Sequence, residues 1–346
     1  MKSLVIYYSQ TGNTKRIAQA ITQGILSITG QCDIKRIRDV SPRDWLGYDL
    51  VGIGSPVWGA CPTTNILYHI NALPEEARGK HAFFFCTHGT GPGRSIIRGV
   101  SPMLDKGLTV LGWRDWYGAA SLHGHAKPWY TDGHPDEIDL KEAEAFGAAM
   151  ASHSIQVSAG NTAIIPRLHS PEASDEIYGP DMFAGMMRMM KDIPGGPGGP
   201  EIPEDPHPPK YPSVMTYLLS LEGMKAMPNP NNSNLRIDAA RCIGCGRCAE
   251  ACFCDNIDIS ADLPVFLSQN CERCLFCESV CPTGAILYDA QPITDKSPQG
   301  KNGAMRQEIA LAEAKGRFRR IIPEEEIGWD TPWEAVTAHP RIKEIP

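Results

Sequence analysis

Residues 1 to about 160 alternate between two periods. Five short apolar runs read as strands: SLVIYY (3–8), CDIKRIR (32–38), DLVGIGS (49–55), HAFFFCT (81–87) and WRDWYGAAS (113–121). Between and after them, apolar residues recur at helical spacing in NTKRIAQAITQGILS, TTNILYHINAL, GRSIIRGVSPMLDKG and DEIDLKEAEAFGAAMASHSIQ. The last has an acidic first turn, which suits a helix N-terminus. Strand–helix alternation of this kind predicts an α/β fold, a doubly wound parallel sheet with helices on both faces.

The pattern changes after residue 160. IPGGPGGPEIPEDPHPPKYP (193–212) supports neither a helix nor a central strand. Eight of the twelve methionines fall between Met182 and Met227. Long structureless connections are unusual inside compact proteins, so residues 161–235 are read as a linker packed in extended form across a domain junction. Residues 236–290 are dense in cysteine, NGAMRQEIALAEAKGRFRR (302–320) reads as a helix, and 291–346 form that helix and a tail of acids, Trp and Pro. Methionine-rich surfaces adapt to partners, so linker and tail are either docking surfaces or cover for the junction.

Composition narrows the class. At 346 residues the chain has room for two or three domains, and its net charge of −7 comes without the basic patch of a nucleic-acid binder. No run of 18 or more apolar residues predicts a membrane span. The N-terminal MKSLVIYYSQTGNT lacks a small-residue cleavage site and reads as a first strand, so the expected location is the cytoplasm. In that reducing setting, clustered cysteines point to metal or catalysis over disulfides.

Two stretches, CIGCGRCAEACFCDNI and CERCLFCESVCPTGAI, share the spacing C-x2-C-x2-C-x3-C. Three thiolates on one tight loop cap three corners of a cubane, and the fourth cysteine of each run serves the other cluster. One [4Fe-4S] cluster is therefore expected on Cys242, Cys245, Cys248 and Cys281, and a second on Cys271, Cys274, Cys277 and Cys252. Zinc held by CxxC pairs is the competing reading; the matched duplication argues against it. Two neighbouring clusters serve to pass electrons one at a time. Cys254 is left over: Phe253 stands where the second half has Pro282, and Cys254 where it has Thr283. The plain reading of Cys254 is a small buried thiol. The alternatives are a weak hydrogen bond to a cluster sulfur or a substitute ligand.

The loop YYSQTGNTKR leaves the first strand and opens a helix. Ser9, Thr11 and Thr14 supply hydroxyls, Gly12 admits close backbone approach, and a helix N-terminus offers free N–H groups to an anion. The lysine of a P-loop is missing, so Ser9, Gln10, Thr11, Gly12, Asn13 and Thr14 suit a phosphate monoester held by neutral donors. This S-x-T-G-N-T loop resembles the FMN phosphate loop of flavodoxins, and the resemblance spans about the first 160 residues. It implies the strand order 2-1-3-4-5 and places the flavin ring among later loops. Ser55, Pro56, Val57, Trp58 and Gly59 would lie beside the ring, with Trp58 stacking on it or shielding its edge. Thr87, His88, Gly89 and Gly91 would contact it through backbone groups. CTHGTGPGR is not read as a dinucleotide fingerprint, because Arg94 stands at the third glycine and the loop does not follow the first strand. His123 and His125 follow the fifth strand near the expected crevice, placed to bond flavin, donate protons or line a substrate pocket. Cys32, Cys61 and Cys86 are isolated.

The whole resembles the flavodoxin–ferredoxin fusion proteins of anaerobic bacteria and archaea, over residues 1–160 and 236–290. The resemblance implies FMN, two [4Fe-4S] clusters and an electron-transfer role with a redox protein partner, a ferredoxin or a larger oxidoreductase. A second reading is an FMN-dependent reductase of a quinone, aromatic or activated alkene, using His123 and His125. A third is a redox sensor or assembly subunit. The long linker also permits a head-to-tail homodimer.

Overall fold

The computed structural model describes residues 1–120, 126–179, 210–221, 235–267, 271–272, 274–288, 294–295, 297 and 300–329. Its first strands are β1 (Ser3–Tyr7), β2 (Cys32–Arg36), β3 (Leu50–Trp58), β4 (Cys61–Pro62), β5 (His81–His88) and β6 (Thr109–Tyr117). The parallel order is β2-β1-β3-β5-β6, with β4 folding back antiparallel on β3. This is the flavodoxin-like order expected from the sequence. The central β1 is buried throughout, whereas the edge strand β2 is partly exposed and reads CDIKR. The structure begins β6 at Thr109 rather than at residue 113, because Thr109 and Val110 pair with His81 and Ala82.

Helices α1 (Asn13–Thr29) and α4 (Glu137–Ser158) cover one face, and α2 (Thr64–Asn71) and α3 (Ser95–Asp105) the other. Ile17, Ile21 and Ile25 recur every fourth residue on α1 and are fully buried, each contributing about 2 kcal/mol through burial. Helices α1 and α4 approach so closely that a Cβ on Gly24 would stand 1.8 Å from the Glu144 carbonyl oxygen, and one on Gly147 would stand 2.1 Å from that of Ile21. Under α2, Trp45 donates from Nε1 to His69 Nε2 at 2.9 Å.

The chain divides into two compact units. The first comprises Met1–Ala120, Pro128–Met182 and Met305–Ile327. Residues of α5 (Pro171–Tyr178) pack on it: Arg94 forms two bonds to Asp175, at 2.9 and 2.7 Å. The 305–327 segment is pinned by Arg317 to Asp115 at 2.8 Å, by Phe318 against Tyr117 at 4.8 Å between ring centroids, and by Arg319 to Asp136 at 2.6 Å.

The second unit comprises Ser121–Lys127, Phe183–Ala304 and Gly328–Pro346. Its described part has two small antiparallel sheets, β7 (Leu235–Ile237) with β10 (Ile286–Tyr288), and β8 (Ile257–Asp258) with β9 (Val265–Phe266). Leu235, Cys248, Ile257, Leu275 and Ile286 form its core. Of the expected linker, 180–209 and 222–234 lie outside the described residues, as does the tail beyond Trp329. Among the described residues no helix is long and apolar enough to cross a membrane.

Two stability measurements follow. Gly147→Ala forces backbone against backbone, so it should lower stability by about 3 kcal/mol in urea denaturation; an unchanged midpoint would refute the close crossing. Burial lowers the His69 pKa from 6.5 to about 4. The unfolded chain then binds the proton first as pH falls, so stability is present above pH 6.5 and lost between 6.5 and 4. Stability should fall by about 2 kcal/mol from pH 7 to pH 5 from this group. His69→Gln, which keeps an acceptor for Trp45, should flatten that part of the profile.

Candidate functional sites

Three loops leave the C-terminal ends of β1, β3 and β5, where an open parallel sheet binds ligands. Side-chain and backbone contacts tie them together. Tyr8 and Trp58 meet edge to face at 6.0 Å. The β3–β4 turn uses Gly59 and Ala60, with φ of 52° and 59°, and Arg98 donates to the Ala60 carbonyl at 2.6 Å. The turn lies against the next loop, since a Cβ on Gly93 would stand 2.5 Å from that of Ala60. Asn13 Nδ2 donates to the Ala119 carbonyl at 2.9 Å, and the hydroxyls of Thr14 and Thr87 share a bond of 2.8 Å.

The start of α1 fits a phosphate. Its N-cap is Gly12 at φ 90°, no side chain caps it, and its first turn carries no acid. The first N–H groups of the helix are therefore left for an external acceptor. Ser9, Gln10, Thr11, Gly12 and Asn13 are half-buried around it, while Thr14 is buried against Thr87. Ser55 is buried too: Thr63 N–H donates to its Oγ at 2.9 Å, which fixes the base of the second loop. Pro56, Val57 and Trp58 are half-buried and Gly59 is exposed, as a surface beside a ring requires. Gly89 and Gly91 are half-buried on the third loop. These residues fit FMN: donors at the helix start for its phosphate, and aromatic and backbone surface for its ring.

His88 ends β5 with its ring turned into the protein. Nε2 lies 3.0 Å from Asp115 Oδ2, which also accepts from Arg317 at 2.8 Å. Burial holds the His88 pKa down, keeping the ring neutral, so Nε2–H donates to the carboxylate. Burial opposes the charge on Asp115, but the His88 bond and the Arg317 charge outweigh it and hold its pKa low. This triad leaves no local pattern in the sequence, because its members lie on β5, β6 and a segment 202 residues beyond Asp115. His123 and His125 lie outside the described residues; nearby Trp129 and Tyr130 are fully buried.

In the second unit the two cysteine runs fold alike. Short helices Arg247–Ala251 and Phe276–Ser279 each follow a left-handed residue, Gly246 at φ 73° and Leu275 at φ 56°. The thiols assemble across the runs. Burial raises the Cys248 pKa, and the nearby Cys245 and Cys281 raise it further. Burial likewise raises Cys277, with Cys274, Cys271 and Cys252 around it. Cys242 heads the first loop, its N–H bonded to the Asp238 carbonyl at 3.0 Å. Each fourth cysteine accepts an N–H four residues on: Asn256 to Cys252 Sγ at 3.3 Å, and Ala285 to Cys281 Sγ at 3.2 Å. Two groups of thiols with N–H donors aimed at sulfur suit iron–sulfur ligation.

The mirror extends to the spare cysteine. Thr283 Oγ1 lies 3.7 Å from Cys281 Sγ, and Cys254 Sγ lies 3.6 Å from Cys252 Sγ. The Cys254 thiol thus takes the place of the Thr283 hydroxyl. It is buried, and its hydrogen bond lowers the Cys252 pKa to about 7. Cys252, Cys254, Cys271, Cys274 and Cys277 line one pocket. Phe253 is covered by the parallel ring of Tyr211 at 6.4 Å.

Hydrogen bonds to a cluster sulfur favour the more negative, reduced state. Cys254→Ala should therefore retain the iron of both groups while lowering one cluster potential by about 20 mV, the equivalent of a weak bond of about 0.5 kcal/mol. Loss of iron in that variant would make Cys254 a ligand.

A family model for the flavodoxin domain matches residues 4–109, and one for the 4Fe-4S binding domain matches 235–258 and 264–287. A flavodoxin of Aquifex aeolicus is 29% identical over 151 residues, 41% of this chain and 80% of that protein. An uncharacterised ferredoxin of Methanocaldococcus jannaschii is 36% identical over 55 residues, 15% of this chain and 71% of its own length. The structure of a flavodoxin from the domain Archaea aligns at 22% identity and a TM-score of 0.37, over 45% of this chain and 99% of that one. A flavodoxin domain implies FMN, and the repeats imply 4Fe-4S clusters. The chain is a fusion of a flavodoxin domain with 4Fe-4S ferredoxin repeats, an electron-transfer flavoprotein.

Proposed function

We propose that this protein passes low-potential electrons between two [4Fe-4S] clusters and one FMN, joining one-electron to two-electron chemistry for a redox protein partner. The observation that carries this reading is the crossed grouping of thiols, Cys281 with Cys245 and Cys248, and Cys252 with Cys271, Cys274 and Cys277. A crossed set makes two clusters from one pseudo-symmetric core, each a one-electron carrier. FMN accepts one or two electrons, so one chain holding both can change the number transferred per step.

The protein's part in this is placement and electrostatics. The uncapped start of α1 would bind the phosphate, and the Tyr8–Trp58 pair with the Gly59–Ala60 turn would flank the ring. The eight cysteines would fix the clusters, and the N–H groups of Asn256 and Ala285 would set their potentials. The partner is expected to be a ferredoxin or a larger oxidoreductase that docks and exchanges single electrons.

An anaerobic redox titration, followed by visible absorption and EPR, tests the reading. Flavin reduction in two one-electron waves, with cluster signals at neighbouring potentials, is the expected result. A single two-electron flavin wave well above both clusters would overturn the relay and favour a reductase with a small-molecule outlet.

A further inference from the structure

The 305–327 segment carries a carboxyl group with no role so far. Glu308 lies on the helix Ala304–Ala314. Its Oε2 is 4.0 Å from where a Cβ on Gly91 would stand, and the Tyr178 carbonyl is 3.8 Å from the same point. The side chain thus rests against the loop after β5. The other acids around this helix are committed: Glu313 to Arg320, and Glu324 to Arg306 and Arg320. Among the described residues Glu308 has no hydrogen-bond or ion-pair partner, and burial alone raises its pKa.

The titratable and charged groups facing it differ in this respect. Asp115 of β6 is fixed as a carboxylate by His88 and Arg317. His88 of β5 is held neutral by burial. Tyr117 of β6 and Tyr178 of α5 are pushed up by burial and stay protonated. Arg317 is paired with Asp115 and lies 4.3 Å over the Tyr178 ring. Within this set Glu308 is the group whose charge is free to change.

We propose that Glu308 is a charge-compensating proton site, which takes a proton from solvent when a flavin held by the loop after β5 gains an electron. The proposal rests on the FMN reading above. One electron leaves a reduced cluster and arrives on the flavin. A proton leaves solvent and forms an O–H bond on the Glu308 carboxylate, and to the extent that it does so the electron's charge on the unit is offset. The driving force is electrostatic: a unit charge at roughly 10 Å in an effective dielectric of about 20 changes a proton affinity on the order of tenfold. Glu308 acts through the field and needs no contact with the ring.

The test uses the full chain loaded with FMN and clusters. The flavin midpoint potential is measured from about pH 5 to 9, a window spanning a raised carboxyl pKa, for the native protein and Glu308→Gln. The native slope should include proton uptake that the variant lacks, up to about half a proton per electron for a tenfold change in affinity, with cluster potentials unmoved. A reduced-minus-oxidised infrared spectrum should show a carboxylic-acid C=O band in the native protein, absent from the variant. Equal slopes, or a native spectrum without that band, would overturn the proposal and leave the FMN reading standing. A native chain that binds no FMN would overturn the reading itself, and the proposal with it. Should Glu308→Gln fail to fold, the native infrared spectrum still decides.

Discussion

The first unit depends on neutralising one carboxylate. Asp115 stands on β6 with its side chain 11% exposed, where a lone charge is costly. His88 offers a hydrogen bond but no charge, so the countercharge comes from Arg317. Removing one member of a buried pair leaves the other uncompensated, typically at about 3–5 kcal/mol. The arginine therefore anchors its whole segment: Phe318 on Tyr117, Arg320 with Glu313 and Glu324, and the helix that sets Glu308 against the loop after β5. A flavodoxin-like sheet cut free of residues 305–327 would keep its strands and lose the partner of its most buried acid.

Much of this was legible in sequence, for reasons that differ by region. Periodicity located β1, β2, β3 and β5 because each apolar run is bounded by polar or turn residues. It missed the start of β6, where Gly112 resembles a break; the glycine instead leaves room for Met150, whose Cε would lie 2.8 Å from a Cβ there. The helix in 302–320 was readable, but its destination was not, since an ion pair spanning 202 residues leaves no local pattern. Loop residues 9–14 were singled out by their motif, and 55–59 by the resemblance to flavodoxins. The inward turn of His88 was invisible, because it depends on Asp115 across the strand pairing.

The cysteine region was the most legible, since spacing on a tight loop nearly dictates geometry. Structure adds the supporting donors. Asn256 and Ala285 occupy the same position in the two halves, as do Cys254 and Thr283. A thiol is a weaker donor than a hydroxyl, so the halves are alike in form and unequal in field. Under the two-cluster reading proposed above, carriers built on one plan would thereby differ in electron affinity.

The first unit is discontinuous along the chain: residues 183–304 come between its body and the segment that supplies Arg317. A ribosome must therefore synthesise residues 183–304, the stretch that carries the two cysteine runs, before the flavodoxin-like unit can be finished, a delay on the order of ten seconds at about 5–20 residues per second. During that interval Asp115 waits without its arginine. Completion of the flavodoxin-like body is thus ordered after synthesis of the cysteine-bearing stretch, and a chain truncated within that stretch can complete neither unit.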